Sequence, residues 1–492
     1  MSARISRRGF LAGSASLVAV VAALQSRRAS GAPRASRIVE GPYGALHEAR
    51  DLATGLPLIL LPEGFQYRTH SWAGDPMADG EPTPNLHDGM GVIATKGRGD
   101  ALEATIVRNH ERASGRPIAA PALYDASSGK SGPLPAGGTT TLQFRGRQWA
   151  SVEPSLGGTI YNCAGGATPW GTWLTCEETV IDLTPKGGRR HGYVFEVRAQ
   201  AAETTARPII GMGRMKHEAV AVDPATNIAY VTEDNPGNSC FYRFIPRDAS
   251  GVPGSYEAGG RLQAPRVVGR SNVDLRRPAL GDVHRIEWVD IEYPDADPGR
   301  VPAGKLREGD AGSGPYLQAV AAGGFRMCKV EGTCHRRGKI YFVDSEAGVD
   351  VLGRVGHGDG AIWELEPTEG TLRAIFVSSR QLVADNIDNI TVSPRGGLLL
   401  AEDGDPVSDR YGPGTRLIGI TDDGDSYAFA KNAVKLDTAQ IAAAGKHIRP
   451  HDYRAEEWAG CCFDANGEVL FVNIQLPGIT FAIWGPWERG NL

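Results

Sequence analysis

The sequence lacks the signature motifs of several large hydrolase and nucleotide-binding classes. It contains no GxSxG segment and no HExxH segment, because His110-Glu111 and His217-Glu218 each lack the second histidine. Gly129-Lys130-Ser131 lacks the upstream glycine of a phosphate-binding P-loop. The motifs therefore give no support to an α/β-type serine hydrolase, an HExxH zinc peptidase or a P-loop nucleotidase.

Positive charge is scarce outside the N-terminus. The whole chain has a formal net charge of −5, although residues 1–31 contain five arginines and no acid. The remaining residues include 47 lysines and arginines against 57 acids, a formal charge of −10. We expect no nucleic-acid partner, because binding nucleic acid needs a basic face. An excess of carboxylates suits a protein that gathers them around metal ions.

The seven cysteines include no CxxC pair. An odd number in an exported protein leaves at least one cysteine unpaired or bound to a metal. Most are expected to be small buried side chains or disulfide partners. Cys176 differs because it lies in the segment Thr175-Cys176-Glu177-Glu178, where a thiolate among carboxylates suits a transition metal better than calcium.

Long apolar runs are absent apart from the N-terminus. There, Ser6-Arg7-Arg8-Gly9-Phe10-Leu11 precedes a run rich in Ala and Val that ends at Leu24. Paired arginines, a short apolar region and small residues at 29–32 predict a twin-arginine signal peptide, residues 1–31. The apolar region is too short to be a good spanning helix, although an uncleaved anchor is the alternative. We expect folded export by the twin-arginine machinery to the periplasm or medium, with no membrane span in the mature form.

Helical periodicity is scarce, and residues 438–445 are the best short candidate for a helix. Glycine and proline instead separate many short hydrophobic runs at intervals typical of all-β chains. Repeats of roughly 40 to 50 residues with several strands each indicate the blades of a β-propeller. We therefore predict an all-β fold with one propeller domain, residues 32–492, and loop insertions at about 117–138 and 247–324.

Five segments share one plan of strand, turn, hydrophobic strand and then an acidic or amide residue. In each, that exit residue lies six positions after a turn glycine or asparagine. The two strands of a hairpin are antiparallel, so their first and last residues meet at one end. The segments are 162–178, 218–234, 331–345, 389–403 and 460–473, with exit residues Glu177, Glu233, Asp344, Glu402 and Asn473.

A propeller would bring these strand ends together around its axis. Unpaired carboxylates gathered there would repel one another, and bound cations would remove that cost. Carboxylates with amide carbonyls suit Ca²⁺, although any single acid after a strand could be a solvated turn residue. The repeated positions hold Glu177, Glu178, Glu218, Glu233, Asp234, Glu331, Asp344, Asp388, Glu402 and Asp403, together with Asn162, Asn389 and Asn473.

The chain resembles the PhoX-type alkaline phosphatases and the exported proteins related to them. The resemblance covers nearly all of the mature chain, and the segment Thr172-Trp173-Leu174-Thr175-Cys176-Glu177-Glu178 is its most specific part. The other matching segments are Asp75-Pro76-Met77, His87-Asp88-Gly89-Met90, Val107-Arg108-Asn109-His110-Glu111, Gly213-Arg214-Met215-Lys216-His217-Glu218 and Asp388-Asn389-Ile390.

This resemblance implies a six-bladed propeller with a mixed Ca²⁺ and Fe³⁺ cluster on the axis, which hydrolyses phosphate monoesters. It implies that Cys176 and the neighbouring glutamates ligate iron. Combined with the repeated positions, it gives a predicted set of metal ligands: Asn109, Glu111, Cys176, Glu177, Glu178, Glu218, Asp234, Glu331, Asp344, Asn389, Glu402 and Asp403.

One residue departs from the family pattern. The phosphatases of the family carry an arginine two residues before the glutamate that matches Glu331, whereas this chain has Lys329. Lysine is a point charge and does not reproduce the planar fork of arginine. We expect Lys329 or Arg326 to balance the charge that develops on the transferred phosphoryl group.

Two other functions stay open from the sequence. The first is a different metal-dependent hydrolase, such as a phosphodiesterase or a lactonase-like enzyme, because Lys329 replaces the arginine. The second is a calcium-stabilised propeller that binds a partner without catalysis. In all three cases a monomer is expected.

Overall fold

The computed structural model describes residues 36–127, 134–300, 311–421 and 423–492. Within them, nearly all regular structure is β, with α-helices at Gly314–Ala321 and Thr438–Ala443 beside single turns of 3₁₀-helix. The second helix confirms the candidate at 438–445. The strands in chain order are β1 Leu46–Ala49, β2 Ile59–Pro62, β3 Gln66–His70, β4 His87–Lys96, β5 Glu103–His110, β6 Gly137–Arg145, β7 Gln148–Thr159, β8 Asn162–Ala167, β9 Trp173–Glu177, β10 Val194–Val197, β11 His217–Val222, β12 Ala229–Glu233, β13 Phe241–Pro246, β14 Gly260–Val267, β15 Val283–Ile291, β16 Val330–Arg336, β17 Lys339–Asp344, β18 Ala361–Glu366, β19 Thr371–Val377, β20 Ile387–Val392, β21 Leu398–Glu402, β22 Ser408–Asp409, β23 Gly412–Pro413, β24 Arg416–Ile420, β25 Ser426–Asn432, β26 Lys435–Leu436, β27 His451–Asp452, β28 Trp458–Phe463, β29 Leu470–Ile474 and β30 Ile479–Trp484.

Six inner strands surround a central axis. They are β4, β8, β11, β16, β20 and β28, and each contacts the next in this order until β28 returns to β4. Each inner strand also pairs antiparallel with the strand that follows it in the chain. Sheets arranged radially around an axis define a β-propeller, so the predicted all-β propeller is confirmed.

The sheets differ in how they are completed. Strand β3, near the N-terminus, pairs with β30 near the C-terminus and closes the sheet of β28, β29 and β30. One nine-stranded sheet contains both β11 and β16, because β15 pairs with β14 on one side and with β19 on the other. This continuous sheet joins two groups of strands, and the count of six blades stays a prediction.

The predicted insertion at 247–324 is more ordered than the sequence indicated. It supplies β14, β15 and the helix Gly314–Ala321, and its two strands form the connection within the nine-stranded sheet. The described part of 117–136 contains no strand or helix. The predicted signal peptide lies outside the described residues, and within those residues no helix is long and apolar enough to cross a membrane.

Apolar side chains fill the spaces between neighbouring sheets. Phe241 of β13 and Phe342 of β17 stack with their ring centroids 4.3 Å apart, and Trp363 of β18 is fully buried in the same cluster. Packing of this kind fixes the sheets around the axis. The inner ends of the strands are thereby held in place to carry a functional site.

Each inner strand has an irregular register near its start. The pairing shifts between His87 and Met90 in β4, between Val330 and Thr333 in β16, and at equivalent places in the other four. A bulge turns a side chain out of the regular ladder. Neighbouring backbones also approach closely here, since a Cβ at Gly89 would lie 2.4 Å from Ala164 Cα.

Candidate metal centre

Side chains from two repeated positions converge at one end of the axis. One repeated position, called the first position here, is the second residue of each inner strand. In five of the six inner strands it is an acid or a cysteine, which are residue types that bind metals. The strand that follows each inner strand in the chain, and pairs with it, is its partner strand. The second position is the residue directly after the partner strand, and most of these residues are acidic. We call the acids and the thiol at these positions, together with Glu457, the axial cluster: Asp88, Cys163, Glu218, Glu331 and Asp388 from the first position, and Glu111, Glu178, Asp234 and Asp403 from the second.

Two overlapping triplets in the axial cluster have the spacing of cation sites. The ligand atoms of Cys163, Glu178 and Glu218 all lie within 4.8 Å of one another, and so do those of Glu218, Glu331 and Asp388. Cys163 Sγ is 3.3 Å from Glu218 Oε1. Glu218 belongs to both triplets, so one carboxylate could bridge two neighbouring ions.

Burial and mutual repulsion disfavour the charged forms of these acids. Burial raises the pKa of Glu218 well above its usual range, and the nearby Asp388 and Glu331 raise it further. For the same reasons the pKa of Asp88 rises to about 7 and that of Asp234 to about 9. Bound cations would reverse this effect by stabilising the carboxylates.

Two lysines supply part of the missing positive charge. Lys329 Nζ lies 2.8 Å from Glu331 Oε1 and 3.4 Å from Asp234 Oδ2. Burial opposes a charged lysine, but these two carboxylates outweigh it and raise the pKa of Lys329. Lys216 Nζ lies 3.6 Å from Glu178 Oε1 and is more exposed. Two ammonium groups are too few to neutralise the axial cluster.

The remaining second-position residues are polar and bind the cluster. Ser345, after β17, donates from Oγ to Glu331 Oε1 at 2.8 Å. Gln475, after β29, donates from Nε2 to Asp88 Oδ2 at 2.9 Å and to Glu111 Oε2 at 3.0 Å. All six partner strands therefore end next to a residue that belongs to the cluster or holds it in place.

The structure places three predicted ligands, all at exit positions, outside the axial cluster. Glu177 accepts hydrogen bonds from the backbone N–H groups of Ile160, Gly192 and Tyr193, and its Oε1 lies 2.6 Å from His191 Nδ1. Its oxygens are therefore already occupied by protein groups.

Glu402 and Asp344 are occupied in the same way. Glu402 forms a buried ion pair with Arg416, whose Nε donates to Oε2 at 2.9 Å. Asp344 accepts from the backbone N–H groups of Cys328 and Lys329. Successive residues of a strand face opposite sides, so the residue after the exit acid faces the axis while the exit acid faces away.

The two predicted amide ligands also have protein partners, and Asn389 Nδ2 donates to Asp388 Oδ2 of the axial cluster at 2.9 Å. Asn109 Oδ1 accepts from Trp173 Nε1 and Thr175 Oγ1, both at 2.9 Å, and its Nδ2 donates to Cys163 O. Asn389 Oδ1 accepts from Gly460 N at 2.6 Å. These amides fix neighbouring strands, and Asn109 holds the backbone at Cys163.

The predicted thiol ligand and one predicted cation lie elsewhere. Cys176 is fully buried in an apolar cluster, where it pairs across the sheet with Val194. The thiol in the axial cluster is that of Cys163. Arg326 donates to Tyr316 Oη at 3.0 Å and to Asn238 Oδ1 at 2.9 Å, whereas Lys329 lies within the cluster.

Four residues of the axial cluster are absent from the ligand set predicted from the sequence. Asp88 and Asp388 lie in the segments that carry the family resemblance, and alignment of the inner strands by their first residues would have placed Cys163 beside Glu218. Glu457 precedes β28, outside both repeated positions, and shares a hydrogen bond with Asp403. No pattern in the sequence marks it.

Comparison with known proteins gives one extensive family match. The family model of alkaline phosphatase PhoX matches residues 41–156 and 131–478. No curated protein matches the chain.

Among solved structures, Pseudomonas fluorescens PhoX in complex with vanadate, a transition state analogue, aligns with a TM-score of 0.62 and 16% identity. The alignment covers 93% of this chain and 99% of that one, and it shows a shared fold. The WD40 propeller domain of Doa1 aligns with a TM-score of 0.33 and 9% identity, over 82% of this chain and 99% of that domain. The PQQ-bound aldose sugar dehydrogenase from Streptomyces coelicolor gives 0.30 and 9%, over 73% and 98%.

Proposed function

The chain belongs to the alkaline phosphatase PhoX family, and from this premise we propose that it is a metal-dependent enzyme that hydrolyses phosphate monoesters. The axial cluster is the observation that carries the proposal. It gathers buried carboxylates and a thiol at the end of the propeller axis, with too little positive charge in the described residues to neutralise them. An arrangement of this kind is costly without bound cations.

The donors of the axial cluster fit calcium and iron. Calcium binds several oxygen ligands at once, and Glu218, Glu331 and Asp388 would supply some of them. Iron tolerates a thiolate, so Cys163 with Glu178 and Glu218 would hold it. Asp234 Oδ1 is buried without a hydrogen-bond partner among the described residues, which leaves it available as a further ligand.

Bound cations would polarise the phosphoryl oxygens and activate water for attack on phosphorus. The chain's own residues would position and neutralise the substrate. Lys329 would donate a hydrogen bond to a phosphoryl oxygen and so offset the charge that develops there. The backbone N–H of Lys329 donates to Asp344 Oδ1 at 3.0 Å, which fixes the backbone of Lys329. Asn109 fixes the segment of Cys163 in the same way, through its side-chain amide.

Export is part of the same proposal. Residues 1–31 would act as a twin-arginine signal peptide, and the mature phosphatase would work as a monomer in the periplasm or outside the cell. Because the twin-arginine pathway carries folded proteins, metal ions could be bound before export. Purification from the periplasm, with sequencing of the mature N-terminus, tests this location.

Phosphate release tests the activity. We expect purified protein supplied with Ca²⁺ and iron to release phosphate from an aryl phosphate at neutral to alkaline pH. The absence of release across that range would refute the phosphatase. Turnover of diesters or lactones without turnover of monoesters would favour a different hydrolase instead.

Metal content provides a second, independent measurement. We expect both calcium and iron in protein purified after export. Calcium without iron would favour a non-catalytic, calcium-stabilised propeller and would weaken the assignment of an enzyme.

A further inference from the structure

A cavity of about 520 Å³ is lined in part by segments that adjoin residues of the axial cluster in the chain. We propose that it binds the alcohol portion of the phosphate ester, and that this portion carries a negative charge of its own, as a carboxylate or a second phosphate. The inference rests on the proposed phosphatase activity and names its preferred substrate class. We call this space the cationic cavity, and its polar lining includes Asn85, Arg112, Arg116, His447, Arg449 and Tyr453.

Three segments that line the cationic cavity adjoin residues of the axial cluster, or residues bound to it, in the chain. Asn85 precedes β4, whose second residue is Asp88, and Arg112 directly follows Glu111. Leu476 lines the cavity immediately after Gln475, which donates hydrogen bonds to both acids. All three segments lie at the strand ends that carry the cluster. An alcohol portion that extends from a phosphate held there along these segments would enter the cavity.

The charge of the cavity is positive and incompletely neutralised. Glu81 is the only acid among its lining residues, and it pairs with Arg116. Arg449 is exposed and forms no ion pair in the described parts of the chain. The lining therefore offers a positive charge to an anion that enters from solvent.

Arg112 gives the strongest indication of an anionic ligand. Arg112 is only 9% exposed, and its Nη2 donates to Ser114 O at 3.4 Å. No carboxylate of the described residues lies within ion-pair distance of the Arg112 guanidinium. A buried cation without a counter-ion is destabilising, and a bound anion would offset that cost.

The contrast with the axial cluster makes this charge selective. The cluster would hold the phosphoryl group through bound cations, whereas the cationic cavity would attract a second negative group on the substrate. A neutral alcohol would leave Arg112 without a partner. The cavity therefore favours phosphate monoesters of acidic alcohols over monoesters of neutral ones.

Matched aryl phosphates test the preference. The probes are 4-carboxyphenyl phosphate, 4-phosphonophenyl phosphate and the neutral 4-carbamoylphenyl phosphate, each measured as kcat/KM with the metal-replete protein at low salt. Arg449→Gln should lower the ratio of each anionic ester to the neutral ester about fivefold, since an exposed charge pair contributes modestly. Arg112→Gln should lower it further. A larger effect on the phosphono than on the carboxy ester would identify a second phosphate as the preferred group.

Arg98→Gln is the matched control. Arg98 is exposed and lies beyond the opposite end of β4, so its loss should leave the ratio unchanged. A thermal melt shows whether Arg112→Gln folds, and Arg449→Gln keeps the test available if it does not. An equal ratio in the parent protein and in the Arg449 variant would overturn the cationic cavity.

Calorimetric binding of 4-carboxyphenyl phosphonate and phenyl phosphonate separates this inference from the activity. These compounds are not hydrolysed, so turnover is not needed. Tighter binding of the carboxylated compound, reduced by Arg449→Gln, supports the cavity even if no ester is hydrolysed. Equal binding of both compounds, together with turnover of simple esters, would retain the phosphatase and reject the cavity.

Discussion

Two sets of buried acids in this propeller, the exit acids of the partner strands and the acids of the axial cluster, have opposite surroundings. Glu402 is 1% exposed and is satisfied by Arg416 and a backbone N–H. Glu218 is equally buried, but it faces Asp388, Glu331 and the thiol of Cys163. Burial alone therefore does not identify a metal ligand. The informative property is whether protein donors already occupy the carboxylate.

Replacement of an exit acid should have the largest effect on stability. Glu402→Gln removes the charge that compensates fully buried Arg416, and breaking a buried pair costs about 3–5 kcal/mol. We expect a large fall in the denaturant midpoint of unfolding, with or without metals. Glu153→Gln, at an exposed position, serves as the control. An unchanged midpoint for Glu402→Gln would remove the distinction between the two sets.

Replacement of a cluster acid should act in the opposite direction on the metal-free protein. Glu218→Gln removes one of several mutually repelling carboxylates, so it should raise the unfolding midpoint after chelation. In metal-replete protein it should lower phosphate release by more than about 100-fold, because Glu218 belongs to both triplets. Loss of stability in the chelated protein would contradict the assignment of Glu218 as a ligand.

The two buried thiols provide a narrower version of the same comparison. Cys163→Ser should reduce iron affinity about 10- to 100-fold, because it removes the sulfur of the axial cluster. Cys176→Ser should retain iron, since this side chain packs among apolar groups. Iron content after dialysis against a weak chelator measures both variants. Retention by the first and loss by the second would restore the thiol predicted from the sequence.

The pH dependence of the metal-free protein should show the smallest effect per pH unit. The folded-state pKa values of Asp88 and Asp234 rise from 3.8 to about 7 and about 9. The folded state therefore binds protons more tightly than the unfolded state, and its stability falls as pH rises from about 4 toward these values, by at most about 1.4 kcal/mol per pH unit for each group.

Unfolding of chelated protein at pH values between about 5 and 9 measures this fall. Protein saturated with Ca²⁺ should show a much weaker dependence, because the ions favour the ionised carboxylates. An identical pH dependence in both preparations would indicate that the acids of the axial cluster do not bind calcium.

The sequence was sufficient for the repeats and for the convergence of their acids. Lys329 forms ion pairs with the axial cluster. Six members of the predicted ligand set lie in the cluster: Glu111, Glu178, Glu218, Asp234, Glu331 and Asp403. These positions follow from strand pairing, because antiparallel hairpins bring their first and last residues together. Regular spacing of glycine and hydrophobic runs was likewise sufficient for the all-β propeller.

The differences between the predicted ligand set and the axial cluster arise mainly from the direction of neighbouring side chains. Glu177 and Glu178 are equally plausible ligands in the sequence, yet only Glu178 faces the axis. Side chains alternate along a strand, and the bulges at the starts of the inner strands change that alternation locally. A one-residue difference in register exchanges a ligand for a side chain that holds the framework.

The chain by itself determined the fold class, the repeat and the concentration of acids at strand ends, because these properties follow from composition and local spacing. Only the tertiary structure decided which acids are free to bind ions, placed Cys163 rather than Cys176 among them, and brought Glu457 to the axis. Those outcomes depend on bulges, on close approach between inner strands and on donors from the next segment of the chain, such as Arg416 and His191. Contacts between residues far apart in the chain leave no periodic signal in the sequence.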